Sequence, residues 1–167
     1  MFWNQTSREK ILKRGTVLAH TLPGARFSEW QHGVIDVPID EVWTRLHALR
    51  WADLRLTRVF LLARGFGLGG LLEKGCLDTF APVAVFVENE PVEVAFAMVG
   101  QPWSPLPRSR CMRDLAEVAG FEEPGWLKYG MDWRLTALSG SRTLVETTTL
   151  CEPTDRGAER RFAAYWR

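Results

Sequence analysis

Residues 126–152, WLKYGMDWRLTALSGSRTLVETTTLCE, read as two strands folded back on each other through Ser139-Gly140-Ser141. A three-residue hairpin turn needs a residue that accepts positive φ, and Gly140 supplies it. The resulting register sets Arg134 opposite Glu146 on one face. It puts Tyr129, Met131, Trp133, Leu135, Val145, Thr147, Thr149 and Cys151 on the other. That second set is mostly apolar but carries two hydroxyls and a phenol, the composition of an inward face bordering a ligand cavity. Thr147 and Thr149 equally suit an ordinary strand, since β-branched residues favour it. The face with Arg134, Glu146 and Asp132 reads as the outer one, and its ion pair as a solvated salt bridge rather than an acid–base couple.

Working outward, VAVFVE at 83–88 and VEVAFAMV at 92–99 flank Asn89-Glu90, which predicts a second hairpin with Val87 facing Val92. In that register Val83, Val85, Val94, Phe96 and Met98 share an apolar face. Upstream, WQHGVIDV at 30–37 alternates as a strand, and Pro38 ends it and opens a helix striped by Val42, Leu46 and Leu49, with Trp43 widening the stripe. Leu54 to Arg64 has a second helical period, with Leu56, Val59, Phe60 and Ala63 on its apolar side. Residues 1–28 read as a lead-in arm containing at most one short helix near Ile11 to Val17. Downstream, Gln101 to Arg110 is a proline-rich loop and Cys111 to Ala119 a short helix. Ala158 to Arg167 is a terminal helix with Phe162 and Trp166 on one side.

The chain has 167 residues, 46% apolar and 25% charged, which suits one globular domain over residues 29–167 behind the arm. Its 21 Lys+Arg against 20 Asp+Glu lack the basic excess of a nucleic-acid binder. Apolar runs such as Val59 to Ala63 fall far short of the roughly 18 residues that span a bilayer. Met1 to Arg14 mixes charges with isolated apolar residues, so a cytoplasmic location is expected. Cys76, Cys111 and Cys151 and the three histidines form no metal-ligand spacing, and the cysteines read as buried thiols. Gly65-Phe66-Gly67-Leu68-Gly69-Gly70 matches GxGxxG, but a helical stretch precedes it where a dinucleotide site needs a strand. It reads instead as a helix-to-sheet connection and candidate cavity lid. No metal and no cofactor is assigned.

Several segments together resemble one superfamily: WQHGVIDVPIDEVW at 30–43, VGQPW at 99–103, EPGWLKYGMDWRL at 123–135 and TDRGAERRFAAYW at 154–166. They resemble bacterial members of unassigned function in the SRPBCC, or START-like, superfamily. The resemblance implies an α+β helix-grip fold: a curved antiparallel sheet wrapped around the C-terminal helix, with two short helices between the first and second strands. It implies a small hydrophobic partner held between sheet and helix. Phe60, Val85, Val94, Phe96, Met98, Trp103, Trp126, Tyr129, Met131, Trp133, Thr147, Thr149, Phe162 and Trp166 are then the candidate lining. Some superfamily members resemble polyketide cyclases or dehydratases, so an enzyme using Tyr129, Thr147 and Thr149 as polar handles is the alternative. The sequence departs from the family pattern at Thr147-Thr148-Thr149-Leu150-Cys151, where charges are usual. Leu144 and Leu150 are therefore expected at the surface, as grounds for an interaction module or homodimer. The terminal helix is also short, about 15 Å for ten residues.

Overall fold

The computed structural model describes residues 8–54, 70, 73–104, 106 and 108–166. Six strands form one antiparallel sheet: β1 (Phe27–Ile35), β2 (Val85–Asn89), β3 (Glu93–Gln101), β4 (Arg108–Arg110), β5 (Leu127–Leu138) and β6 (Arg142–Pro153). Their order is β1-β6-β5-β3-β2, with β4 also on β3. Five helices accompany them among the described residues: α1 (Arg8–Leu12), α2 (Val17–Thr21), α3 (Ile39–Ala48), α4 (Leu115–Ala119) and α5 (Arg156–Trp166). The fold is α+β. No helix among the described residues is long and apolar enough to cross a membrane.

The β5/β6 hairpin has the expected register, with Arg134 opposite Glu146 and Trp133 opposite Thr147. Gly140 and Ser141 turn it at φ of 73° and 57°. Helix α3 starts at Pro38 as its proline predicts, and buries Val42 and Trp43. Helix α5 is tied down at its start by Asp155. One carboxylate oxygen accepts from the Ala158 amide at 2.7 Å and the other from the Gly125 amide at 2.5 Å. These backbone donors hold its carboxyl below the usual range.

The face expected to be solvated is instead covered, which overturns that expectation. The even-numbered side chains of β5 face a layer built by the N-terminal arm. Ile11, Leu18, Leu22 and Ala25 of the arm are each at most 1% exposed, clustered with Ala97, Val99, Val118, Trp126 and Leu150. Leu150 is therefore at 0% exposure rather than part of a surface patch, and Leu144 is half-buried. Asp132 is likewise at 0%, and Glu146, at 6%, pairs with Arg14 of the arm instead of forming a solvated bridge with Arg134. The arm descends close to the strands because Gly130 has no side chain. A Cβ there would lie 2.0 Å from the Phe96 carbonyl oxygen and 2.8 Å from Leu18 Cδ1.

The β2/β3 hairpin pairs differently from expectation. Asn89 pairs with Glu93 across Glu90-Pro91-Val92, so Val87 faces Ala95 rather than Val92. Pro91 has no N–H for a ladder, and the Val92 amide instead closes the turn on the Asn89 carbonyl at 2.7 Å. This odd shift moves β2 by one face relative to β3. Phe86 and Glu88 join Val94, Phe96 and Met98, while Val85 turns to the arm side, where it packs against that cluster.

Strand β1 starts at Phe27, inside the segment read as arm. Within the expected proline-rich loop, Arg108–Arg110 pair with β3. Of the expected second helix only Leu54 is described, ending a 3-10 turn at Trp51–Asp53, and of the glycine motif only Gly70; Phe60 lies outside the described residues. Cys76 and Cys151 are buried free thiols, whereas Cys111 is exposed.

Candidate functional site

The odd-numbered side chains of β5 look onto the opposite face, here the groove face. Three cross-strand rungs organise it: Glu29, Thr149, Met131, Phe96 and Phe86; then Gln31, Thr147, Trp133, Val94 and Glu88; then Phe27, Cys151, Tyr129 and Met98. Eight of the expected lining residues thus come together: Val94, Phe96, Met98, Tyr129, Met131, Trp133, Thr147 and Thr149. Val94, Phe96 and Met98 are buried on β3, whereas Met131, Trp133, Thr147 and Thr149 are half-exposed at the centre of the sheet.

The two ends of this face differ. At the α5 end Phe162, 3% exposed, packs on Leu127 and Cys151, and its ring lies 4.9 Å edge-on to Phe27 and 5.4 Å from Trp166. Trp103 adds to this plug at 6.3 Å from Phe162. The expected lining residues Trp103, Phe162 and Trp166 therefore pack against one another as a stopper. Tyr129 belongs to the same cluster, its hydroxyl fitting where Gly100 leaves room; a Cβ at Gly100 would lie 3.1 Å from it. Burial, with Cys151 and Tyr165 nearby, pushes the phenol pKa up, so it stays neutral. Burial also raises both buried thiols, Cys76 to about 11 with Asp53 contributing, which leaves neither as a thiolate nucleophile near neutral pH.

At the other end α3 stands off the sheet beside the β1/β6 pair and leaves an open cleft of about 460 Å³. Its apolar wall is Ile35, Val37, Val42, Leu46, Leu49 and Val145, and Gln31, Thr147 and Arg45 add polar groups. This volume is in the range of small-molecule sites. Gln31 and Thr147 are direct cross-strand neighbours, and the Gln31 side-chain amide donates to the Glu29 carboxylate at 2.7 Å. Arg45 pairs with Glu41 one turn earlier on α3. On the far side of α3, His47 bridges to β2: Nδ1 lies 3.0 Å from the Trp43 carbonyl and Nε2 3.3 Å from Glu88. Nδ1 thus stays within α3, and Nε2 makes the link from α3 to the sheet.

Among the described residues, Thr147 is the one expected lining residue that borders the cleft. Val85 and Trp126 lie on the arm face. Trp126 sits edge-on to Phe121 at 6.1 Å, with the Arg110 guanidinium 4.5 Å from its ring centre. The cleft residues missed by the sequence reading include Gln31, Arg45, Ile35, Val37 and the stripe Val42, Leu46 and Leu49. The stripe was visible as helical period, but period alone does not distinguish a packed wall from a cleft wall. No group of three or more His, Cys, Asp or Glu side chains that could hold a metal ion occurs among the described residues. No protein-family model matches this sequence, and no curated protein matches it either.

Proposed function

We propose that the protein binds a small, largely hydrophobic molecule on the groove face, seated between α3 and the β1/β6 pair. The observation that carries this reading is the open cleft of about 460 Å³, with a mostly apolar wall and Gln31, Thr147 and Arg45 as polar groups. The half-exposed Met131, Trp133 and Thr149 continue the same surface toward the middle of the sheet. Strand, helix, antiparallel strands and terminal helix follow in the order of a helix-grip fold, which supports the resemblance to START-like proteins. The aromatic stopper around Phe162 shifts the guest away from α5 and toward α3.

Burying ~200 to 300 Å² of ligand at roughly 25 cal/mol per Å² contributes about 5 to 7 kcal/mol before the costs of association, which corresponds to modest affinity. Binding is favoured over cyclase-like turnover because Tyr129, one of the three polar handles of that reading, is packed in the stopper cluster. The test is titration with N-phenyl-1-naphthylamine, a neutral apolar fluorescent probe. Leu46→Trp fills the cleft from α3 and is expected to weaken the probe at least tenfold while thermal unfolding stays within a few degrees. Unchanged probe affinity in a folded Leu46→Trp variant, or no probe binding to the parent protein, overturns the reading.

A further inference from the structure

On the arm face, the connector between α1 and α2 sits over two rungs of the sheet: Trp30, Thr148, Asp132 and Ala95, then His32, Glu146, Arg134 and Glu93. Strand groups hold the connector at three points. Glu146 pairs with Arg14, Arg134 donates to the Arg14 carbonyl at 3.1 Å, and Glu93 accepts from the Val17 amide at 2.9 Å. Further along, Glu152 pairs with the buried Lys128 at 2.6 Å and accepts from the Gly24 amide at 2.8 Å. Among the described residues, two polar groups under this cover lack a well-formed hydrogen bond: Trp30 Nε1, and the carboxyl oxygens of Asp132, which have only the Thr16 and Thr148 hydroxyls near them. Asp132 is at 0% exposure, and the Thr16 hydroxyl oxygen that caps α2 accepts from the Ala19 amide at 3.2 Å. A buried carboxylate left in this state is costly, whereas a neutral carboxyl is far less so.

We propose that Asp132 is a proton-operated latch for the arm: the arm docks over a protonated Asp132 and lifts more readily when that carboxyl is charged. Burial raises the Asp132 carboxyl from 3.8 to about 6, against the opposing effects of Thr16, Thr148 and Arg14 and with Glu93 adding to the rise. A group raised in the docked state stabilises docking fully below its free value, and the contribution is lost as pH rises through the docked value. The sensing window is therefore between about pH 4 and 6. From pH 4.5 to 7 the arm's opening equilibrium grows roughly twentyfold from this group. The other titratable or charged groups on this side are Arg14 and His20 of the arm, His32 on β1, Glu93 on β3, Lys128 and Arg134 on β5, and Glu146 and Glu152 on β6. A comparison at constant background separates Asp132 from them.

The test is amide hydrogen exchange, corrected for intrinsic rates, at His20 and Leu22, whose amides bond the Thr16 and Leu18 carbonyls. Trp133 on β5 serves as the reference for global opening. In the parent chain, arm protection is expected to fall roughly twentyfold from pH 4.5 to 7 while that of Trp133 changes much less. This drop should survive in the His20→Gln/His32→Gln double variant and vanish in Asp132→Asn. Equal pH dependence with and without Asp132, or an equal drop at Trp133, overturns the proposal. Should Asp132→Asn fail to fold, carbon-13 titration of Asp132 in the parent chain decides: a midpoint near 6 supports the latch, and one below 4.5 overturns it.

Discussion

The two faces of this sheet are built from alternate residues of the same strands, yet they solve opposite problems. Under the arm, polar and charged side chains such as Asp132, Glu146 and Thr148 are almost fully buried. On the groove face, Met131, Trp133 and Val145 stay half-exposed although their side chains are apolar. Side-chain polarity alone would have placed them the other way round. What decides coverage is which distant segment lies across each face, and the arm's contact with Gly130 and Leu150 outweighs the cost of taking charges out of water.

The contrast can be broken most forcefully at Gly130. Gly130→Val is expected to cost about 3 kcal/mol or more, because its Cβ collides with backbone at Phe96 and no side-chain rotation relieves that. Denaturant unfolding measures this, and a loss under 1 kcal/mol would mean the β3/β5 pairing tolerates a side chain at this position. Next comes a matched pair of truncations. Leu18→Ala on the arm, at 1% exposure, is expected to cost about 3 kcal/mol, and Met131→Ala on the groove face under about 1 kcal/mol. Similar costs would show that both faces are equally packed. Smallest is Glu146→Gln, which removes the charge facing Arg14. With Arg14 still 26% exposed to water, about 1 to 2 kcal/mol is expected, shrinking in high salt. No change at any ionic strength would assign arm docking to apolar contacts alone.

The reading from sequence succeeded where local rules act alone. The β5/β6 register followed from a turn glycine and strict alternation, and α3 from a proline followed by a helical stripe. It failed at β2/β3 because a two-residue turn was assumed where Pro91 makes it three, and an odd shift exchanges faces. The arm was invisible for a different reason. Its apolar anchors Ile11, in one five-residue helix, and Leu18 and Leu22, in and just after another, are separated by Gly15 at φ +67°, so no single helical period runs through them. Burial of Asp132 and Leu150 was beyond reach once that side was read as the solvated outer face. The cleft was half legible: its α3 stripe was recognised, but the space beside it depends on how far the helix stands from β1, which no local pattern encodes.

Because alternate positions of β5 answer to different neighbours, no side chain between Lys128 and Arg134 serves both layers. Inherited changes at Met131 or Trp133 alter the groove face without disturbing how the amino-terminal segment is fastened. Changes at Gly130 or Asp132 act on that fastening first. A single ribbon therefore carries two separately adjustable surfaces, each free to drift at its own pace.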